Sequence, residues 1–175
     1  MKCINYECKI LTDDLAKSEK KLQSLQPRFV GEDYQVDTYF NVAEGRLKLR
    51  HGNIENALIY YHRNDARSIT RSDIILYRHQ ADPSLLNIMK EALGIQVVVA
   101  KKRKIYFVDN VKFHFDEVDK LGAFVEIEAI DETGERTIDE LKAQCDHYFE
   151  FFEFRETEIV GKSYSDLLEK ESDDT

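Results

Sequence analysis

Charged and apolar residues alternate along several short segments of the sequence, and within most of these segments the charges have one sign. The segment RLKLR at positions 46–50 has a cation at every second position, and VEIE at 125–128 has two carboxylates spaced in the same way. Alternate side chains of a β-strand share a face, so each segment predicts a strand with one charged and one apolar face. Related alternation occurs at Asn5–Lys9, Lys101–Arg103 and His114–Asp116.

The sorting of these charges by sign favours an arrangement in which the strands share a cavity. A single strand of this kind ordinarily packs its apolar face on helices and turns its charged face to water. Like charges at neighbouring positions repel each other unless an opposite charge lies nearby. If the strands curl with their charged faces inward, cations and carboxylates surround one lumen. A polyphosphate with its divalent metal would satisfy both sets, because carboxylates bind Mg²⁺ or Mn²⁺ and Lys and Arg bind phosphate oxygens.

The whole pattern predicts an α+β fold in a single domain spanning residues 1–175. About eight or more strands are joined mostly by short turns, which favours an antiparallel sheet that closes or nearly closes and so removes its exposed edges. Helices are predicted after Asp14, over Ser84–Leu93, over Thr137–Tyr148 and over Tyr164–Lys170. A last short strand is predicted over Phe152–Ile159.

Composition narrows the classes of partner. The 175 residues include 34 acidic and 25 basic ones, a formal net charge of −9, which argues against general nucleic-acid binding. No apolar run of about 18 residues is present, so no membrane partner is expected. Cys3, Cys8 and Cys145 form no CxxC pair, which favours a reduced, cytoplasmic setting. The aromatic residues around Tyr148 could support a homodimer, although such residues more often complete a core.

The ordered set of motifs resembles a known family. The start NYECK is similar to the ExExK signature of the CYTH superfamily, the triphosphate tunnel enzymes, which include class IV adenylyl cyclases, thiamine triphosphatases and inorganic triphosphatases. The resemblance covers nearly the whole chain, and the sequence is most similar to proteins of the class IV cyclase type. It continues in the expected order through DTYFNVAEGRLKLR, LIYYHRND, VVVAKKRKIYF, DEVDKLGAFVEIE and GKSYSDLL.

This resemblance implies an eight-stranded antiparallel, barrel-like tunnel with flanking helices, whose interior binds a triphosphate with Mg²⁺ or Mn²⁺. By position, the family's metal-binding carboxylates correspond to Glu7, Asp116, Glu126 and Glu128. Its phosphate-binding and catalytic cations correspond to Lys9, Arg50, Lys101 and Arg103. Arg46 and Lys48 fit the same inward face by their spacing and are further candidates for substrate binding.

Two positions need separate comment. Either His62 or Arg63 could supply a phosphate contact from LIYYHRND, and we favour Arg63 because it is charged at every pH, whereas a histidine is largely neutral near pH 7. Asn5 stands where the signature has its first Glu. An amide oxygen can ligate a metal without adding negative charge, so we expect a second metal ion to bind more weakly than the first.

Three functions remain open at this point. The whole-chain resemblance favours an adenylyl cyclase, in which the ribose 3′-hydroxyl of ATP attacks the α-phosphorus and pyrophosphate leaves. Hydrolysis of tripolyphosphate or thiamine triphosphate needs the same cations and metal, so the residues that bind the triphosphate do not distinguish these reactions. A non-catalytic sensor of nucleotide or polyphosphate is the alternative from another class. Carboxylates beside the cations favour an enzyme, because a simple anion binder gains nothing from them.

Overall fold

The computed structural model describes residues 2–63 and 70–173 of the chain, with side chains described for 4–62 and 71–170. The described residues form eight strands and four α-helices, and most consecutive strands pair as antiparallel hairpins. The strands are β1 (Lys2–Leu11), β2 (Arg28–Phe40), β3 (Arg46–His51), β4 (Ala57–Arg63), β5 (Thr70–Arg78), β6 (Ile95–Val108), β7 (Val111–Val118) and β8 (Gly122–Asp131). The helices are α1 (Leu15–Gln23), α2 (Pro83–Leu93), α3 (Ile138–Phe152) and α4 (Tyr164–Asp173).

The strands form one closed antiparallel barrel in the order β1-β5-β4-β3-β2-β6-β7-β8, and β8 pairs back with β1. The predicted closed sheet with flanking helices is therefore confirmed. Closure leaves no strand edge unpaired within the sheet. In the β1–β8 register, Glu7 lies opposite Glu128 and Lys9 lies opposite Glu126, so the predicted polar stripes of these two strands share one face.

The outer face of the barrel supplies the apolar core. Cys8, Phe113 and Ile127 point outward and pack against Leu141 and Phe152 of α3. This helix covers β1 and β8. The aromatic residues Tyr148, Phe149, Phe151 and Phe154 pack against the same cluster, so they complete a core, as they more often do. On β1, β7 and β8 the apolar stripe therefore lies on the face that points away from the lumen.

Local sequence signals set the helix ends. Asp14 accepts a hydrogen bond from the backbone N–H of Lys17 at the start of α1, and Asp82 accepts one from Ser84 at the start of α2. Thr137 and Glu140 form a capping box at the start of α3. Each of these side chains satisfies a backbone donor that the first helical turn leaves unpaired.

The predicted strand Phe152–Ile159 is wrong. Instead, α3 continues through Phe152, Glu153 ends it in the left-handed conformation, and a short 3₁₀ turn covers Glu156–Glu158. Only Ile159 makes a bridge to a strand, pairing with Ile10. Phe152, the last residue of this helix, and Phe154 pack against the apolar core. Within the described residues, no helix has the length and apolar content needed to cross a lipid bilayer.

Candidate functional site

A cavity of about 800 Å³ occupies the inside of the barrel. All eight strands contribute side chains to its wall. Arg28 and Tyr39 lie near opposite ends of β2 and both line the cavity, so it runs along most of the barrel. Its volume is in the range, about 300–1,000 Å³, of cavities that enclose small organic ligands.

The structure brings most of the predicted site residues together on this wall. The alternation that defined the polar stripes points them inward, and the antiparallel register places the stripes of neighbouring strands side by side. Predicted residues on the wall are Glu7, Lys9, Lys48, Arg50, Lys101, Arg103, Glu126 and Glu128, together with Asn5.

On one side of the lumen, three cations surround Asp37. Its carboxylate accepts hydrogen bonds from Lys101 Nζ at 2.8 Å, from Lys48 Nζ at 3.1 Å and from Arg50 Nε at 2.8 Å. Burial alone would raise the pKa of Asp37, but Arg50, Lys101 and Lys48 outweigh it and hold that pKa well below its usual value. Glu55 also accepts a hydrogen bond from Arg50, so three cations face two carboxylates and this side of the lumen keeps excess positive charge.

Lys101 is perturbed in the direction that disfavours its charged form. Burial, together with the neighbouring Arg50 and Arg103, lowers its pKa to about 7 against the opposing effect of Asp37. An anion placed beside Lys101 would favour its charged form. This side of the lumen can therefore gain charge when it binds phosphate.

A second cluster centres on Arg103. Its Nε donates to Asp116 at 2.7 Å and its Nη2 donates to Glu126 at 2.7 Å. Lys9 Nζ lies 3.3 Å from Glu126 and 4.0 Å from the centre of the Tyr164 ring. Burial would raise the pKa of Glu126, but Arg103 and Lys9 hold it well below the usual value. The cluster is close to neutral, with its guanidinium held in a fixed orientation.

The side formed by β1 and β8 carries excess negative charge. Glu7 and Glu128 are cross-strand partners. Burial, together with the charges of Glu7 and Glu126, raises the pKa of Glu128 to about 7 against the opposing effect of Lys112. Two carboxylates that repel each other in this way gain from a bound cation.

The carboxylates also lie beside a neutral histidine. Ligand atoms of His114, Glu126 and Glu128 lie within 4.8 Å of one another. Burial lowers the pKa of His114 to about 3, so its ring is neutral, and its Nδ1 lies 3.1 Å from Glu126. The Nε2 of this buried ring has no hydrogen-bond partner among the described residues. These donors fit a hard divalent cation, which prefers carboxylate oxygens.

Two predicted residues lie behind or beside the wall. Asp116 is fully buried and accepts hydrogen bonds from Arg103 and, at 2.8 Å, from Tyr164 Oη. Its place in the structure is that of a residue that orients Arg103. Arg46 shares the inward spacing of β3, but its Nη2 donates to Asp166 of α4 at 2.9 Å and it is not part of the cavity wall.

The alternative between His62 and Arg63 is only partly resolved. His62 is exposed on the outer face, where its Nε2 lies 2.9 Å from Tyr60 Oη, and it does not line the lumen. Arg63 is paired with Ser72 in the β4–β5 register, and its side chain lies outside the described residues. Phosphate binding by Arg63 stays a prediction.

Several wall residues were not found from the sequence. Asp37 has the same spacing in β2 as the buried Asp33 and Gln35, and Lys112 has the same spacing in β7 as His114, so alternation could have identified both. Glu55 lies in the turn before β4 and gave no such signal. It accepts hydrogen bonds from Arg50 and Lys112. Further wall residues that were missed are the aromatics Tyr39, Tyr61 and Tyr164.

Helix α4 packs across one end of the barrel. Lys9 donates to the carbonyl of Lys162 at 3.3 Å, and Arg46 pairs with Asp166. Tyr164, in the first turn of the helix, contacts Phe124 and lines the cavity. The C-terminal helix is thus part of the site as well as of the fold.

Comparison with known proteins places this architecture in a family. The CYTH domain matches residues 3–157. A relative named "Putative adenylate cyclase MJ0240", from Methanocaldococcus jannaschii, is 27% identical over 94% of this chain and 98% of its own length.

Two solved structures share the fold. The PH1012 protein of Pyrococcus horikoshii superposes with a TM-score of 0.79 at 24% identity, over 93% of this chain and 98% of the other. The Hippeastrum protein HpAC1, titled an adenylyl cyclase candidate that reveals a dominant triphosphatase activity, gives 0.57 at 14% identity over 88% and 89% of the two chains. On the match to residues 3–157 and the closed eight-stranded barrel, this chain belongs to the CYTH domain family.

Proposed function

We propose that the protein is a divalent-metal-dependent adenylyl cyclase that binds ATP in the lumen of the barrel and releases cyclic AMP and pyrophosphate. The observation that carries this proposal is the separation of charge within one lumen. Three cations surround Asp37 on one side, and Glu7 and Glu128 face each other on the other. A triphosphate with its metal ion has the same separation.

The phosphate chain is assigned to the cationic side. Lys48 and Arg50 come from β3 and Lys101 comes from β6, the two strands on either side of β2 and its Asp37. All three would contact non-bridging oxygens and give up part of their pairing with Asp37. Arg103 and Lys9 lie nearer the carboxylates and would contact the phosphate closest to the metal. Cations fixed in place before the reaction stabilise the charge that develops on the phosphoryl oxygens in the transition state.

The carboxylate side would hold Mg²⁺ or Mn²⁺ through Glu126 and Glu128, with Glu7 beside them. These residues fit such an ion because their oxygens lie close together in a buried site, where burial and the charge of Glu7 both raise the pKa of Glu128 in the absence of a cation. A bound divalent cation neutralises phosphate charge and favours departure of pyrophosphate. His114 and Arg103 hold Glu126 in position, and Asp116 holds Arg103.

In the cyclase reaction the ribose 3′-oxygen forms a bond to the α-phosphorus as the bond to the bridging oxygen breaks. Pyrophosphate leaves with the electron pair, and the hydroxyl proton passes to a base. The relative named as an adenylate cyclase supports this reaction. The Hippeastrum protein, which is described as having a dominant triphosphatase activity, supports the second candidate, attack of water on the terminal phosphorus of tripolyphosphate or thiamine triphosphate.

Product analysis tests the proposal. Protein with Mg²⁺ or Mn²⁺ is offered ATP, tripolyphosphate and thiamine triphosphate, and cyclic AMP, pyrophosphate and orthophosphate are followed. Cyclic AMP with equal pyrophosphate and no orthophosphate is expected. Orthophosphate without cyclic AMP would make the protein a triphosphatase. Binding without turnover would make it a sensor of nucleotide or polyphosphate.

Glu126→Gln links the activity to this site. The isosteric amide keeps the volume but removes the charge that pairs with Arg103 and Lys9 and that would hold the metal. We expect turnover to fall about 100-fold or more, in the range seen when a group acting on the transition state is removed. A variant that folds normally and turns over at the wild-type rate would contradict the assignment.

A further inference from the structure

The lumen has an apolar wall that the binding of phosphate and metal does not explain. On β4 the inward side chains are Ala57, Ile59 and Tyr61, and on β5 they include Ile74 and Leu76. They pack against one another and line the cavity. We call these five residues the apolar wall. It faces a lumen whose other strands carry the charges described above.

Inorganic polyphosphate gains nothing from such a surface. Its oxygens would lose water against Ile59, Ile74 and Leu76 without receiving hydrogen bonds in return. An organic group would instead remove apolar surface from water, which stabilises a complex by about 25 cal/mol per Å². The apolar wall therefore fits the organic part of a ligand whose phosphates lie on the charged side.

Two unpaired polar atoms lie at the edge of the apolar wall. Asn5 of β1 and Ser72 of β5 are cross-strand partners, and both line the cavity. Their side chains are buried, with residue exposures of 3% and 2%. Asn5 Oδ1 and Ser72 Oγ have no hydrogen-bond partner among the described residues. Buried polar atoms are rarely left unpaired, so a ligand that supplies the missing bonds is the simplest explanation.

The chemistry of these two atoms narrows the ligand. Asn5 Oδ1 can only accept, so its partner must be a donor, whereas Ser72 Oγ can donate or accept. A sugar with adjacent hydroxyl groups supplies both kinds of partner. The amide at position 5, where the ExExK signature has a carboxylate, then has a role of its own: it accepts from a hydroxyl without repelling the neighbouring phosphates.

We propose that the apolar wall and the Asn5–Ser72 pair together bind the nucleoside of a nucleoside triphosphate. The apolar wall contacts the base, and Asn5 and Ser72 bind the ribose hydroxyls. The ligand is thus an organic triphosphate that carries free hydroxyl groups. This inference rests on the proposed function for the position of the phosphate chain, and it adds the residues that select the organic group.

Neighbouring residues of β5 provide a matched test of the apolar wall. Ile74 faces the lumen, whereas Ile75 points outward and is 48% exposed. Binding of α,β-methylene-ATP and of tripolyphosphate is measured by calorimetry for Ile74→Thr and for the control Ile75→Thr. Ile74→Thr is expected to weaken binding of the nucleotide about tenfold and to leave binding of tripolyphosphate unchanged, because an ethyl branch on the base surface is replaced by an unpaired hydroxyl. Ile75→Thr is expected to change neither.

Ser72→Ala tests the hydroxyl contact when ligands with and without free hydroxyl groups are compared. The variant removes a buried atom without a partner, so the free protein is expected to fold normally. The variant should weaken binding of α,β-methylene-ATP about fivefold to tenfold, which corresponds to the usual contribution of one hydrogen bond. It should weaken binding of the matching 2′,3′-dideoxy nucleotide less. Binding of thiamine triphosphate, which has no free hydroxyl group, should be unaffected.

The outcomes separate this inference from the proposed function. Because binding is measured with an analogue that resists cleavage between the α and β phosphates, a protein that forms no cyclic AMP can still show the nucleotide selectivity and support the inference. Equal weakening of nucleotide and tripolyphosphate by Ile74→Thr would overturn it. Wild-type protein that binds tripolyphosphate as tightly as the nucleotide would overturn it as well.

Discussion

Lys48 is the residue at which phosphate binding can be separated from folding. It is one of three cations on Asp37, so Lys48→Gln leaves that carboxylate paired with Arg50 and Lys101. The lost contact to phosphate should weaken ATP binding about tenfold or more, since hydrogen bonds to charged groups contribute about 1.5–3 kcal/mol. Calorimetry with α,β-methylene-ATP measures the affinity, and the melting temperature is expected to stay within about 2 °C.

Lys102 provides the control for Lys48. It lies on β6 next to Lys101 but on the outer face, where its Nζ pairs with Glu32 at 3.2 Å. Lys102→Gln removes the same charge from the molecule and should leave the affinity unchanged. If the two variants weaken binding equally, the effect comes from the overall charge, and the assignment of Lys48 to phosphate is wrong.

The pKa of Lys101 predicts how phosphate binding depends on pH. Its pKa in the free protein is about 7. A phosphate oxygen beside the ammonium group raises that pKa, so binding takes up a proton above pH 7. A ligand that takes up protons binds more weakly as the pH rises, so the affinity for α,β-methylene-ATP should fall between pH 7 and pH 9. Lys101→Arg stays charged throughout this range and should flatten the profile. Identical slopes in the two proteins would exclude Lys101 as the source.

At the level of elements, α3 stabilises the barrel from outside without contributing to the lumen. Thr137 and Glu140 form the capping box at its start. Thr137→Ala removes one side of that box and should lower the free energy of unfolding by about 1 kcal/mol. Urea unfolding measures the loss, and Thr137→Ser is the control because its hydroxyl can still accept from the N–H of Glu140. Turnover per folded molecule should not change in either variant. A loss of turnover would show that α3 also shapes the site.

The charge pattern predicts some strands better than others. In β3 and β8 the charges of one sign alternate with aliphatic residues, so the polar face and the apolar face are both recognisable from the sequence. In β2 the inward face carries Asp33 and Asp37, while Tyr34 and Val36 are exposed on the outside. Periodicity shows that such a strand has two faces, but which one lies inside depends on the neighbouring strands, and this is set only when the barrel closes.

Contacts between distant elements could not be predicted from the sequence for a similar reason. The spacing of Asp116 places it on the inward face of β7, yet Arg103 and Tyr164 enclose its carboxylate. Arg46 likewise has the inward spacing of β3, and Asp166 of α4 holds it. Both outcomes depend on how the C-terminal helix packs across the barrel, which no local pattern encodes.

At the scale of the whole molecule, the barrel separates charges that a compact core would force together. The cations around Asp37 come from β3 and β6, whereas Glu7 and Glu128 come from β1 and β8. The molecule as a whole has a formal charge of −9, so the positive side of the lumen is a local feature. Anion binding here depends on the closed sheet, which keeps the two sides apart at a fixed spacing.

This separation predicts that nucleotide and metal stabilise each other's binding. Either ligand alone leaves one side of the lumen with unbalanced charge, so Mn²⁺ should raise the affinity of the protein for α,β-methylene-ATP. By linkage, the nucleotide should raise the affinity of the protein for Mn²⁺ by the same factor, once the complex that the two ligands form in solution is accounted for. Melting temperature should rise most with both present. Glu128→Gln should reduce this coupling about tenfold or more, while Glu117→Gln, on the exposed face of β7, should preserve it. Equal coupling in the two variants would mean that the metal enters with the nucleotide alone and that the carboxylates of β1 and β8 do not hold it.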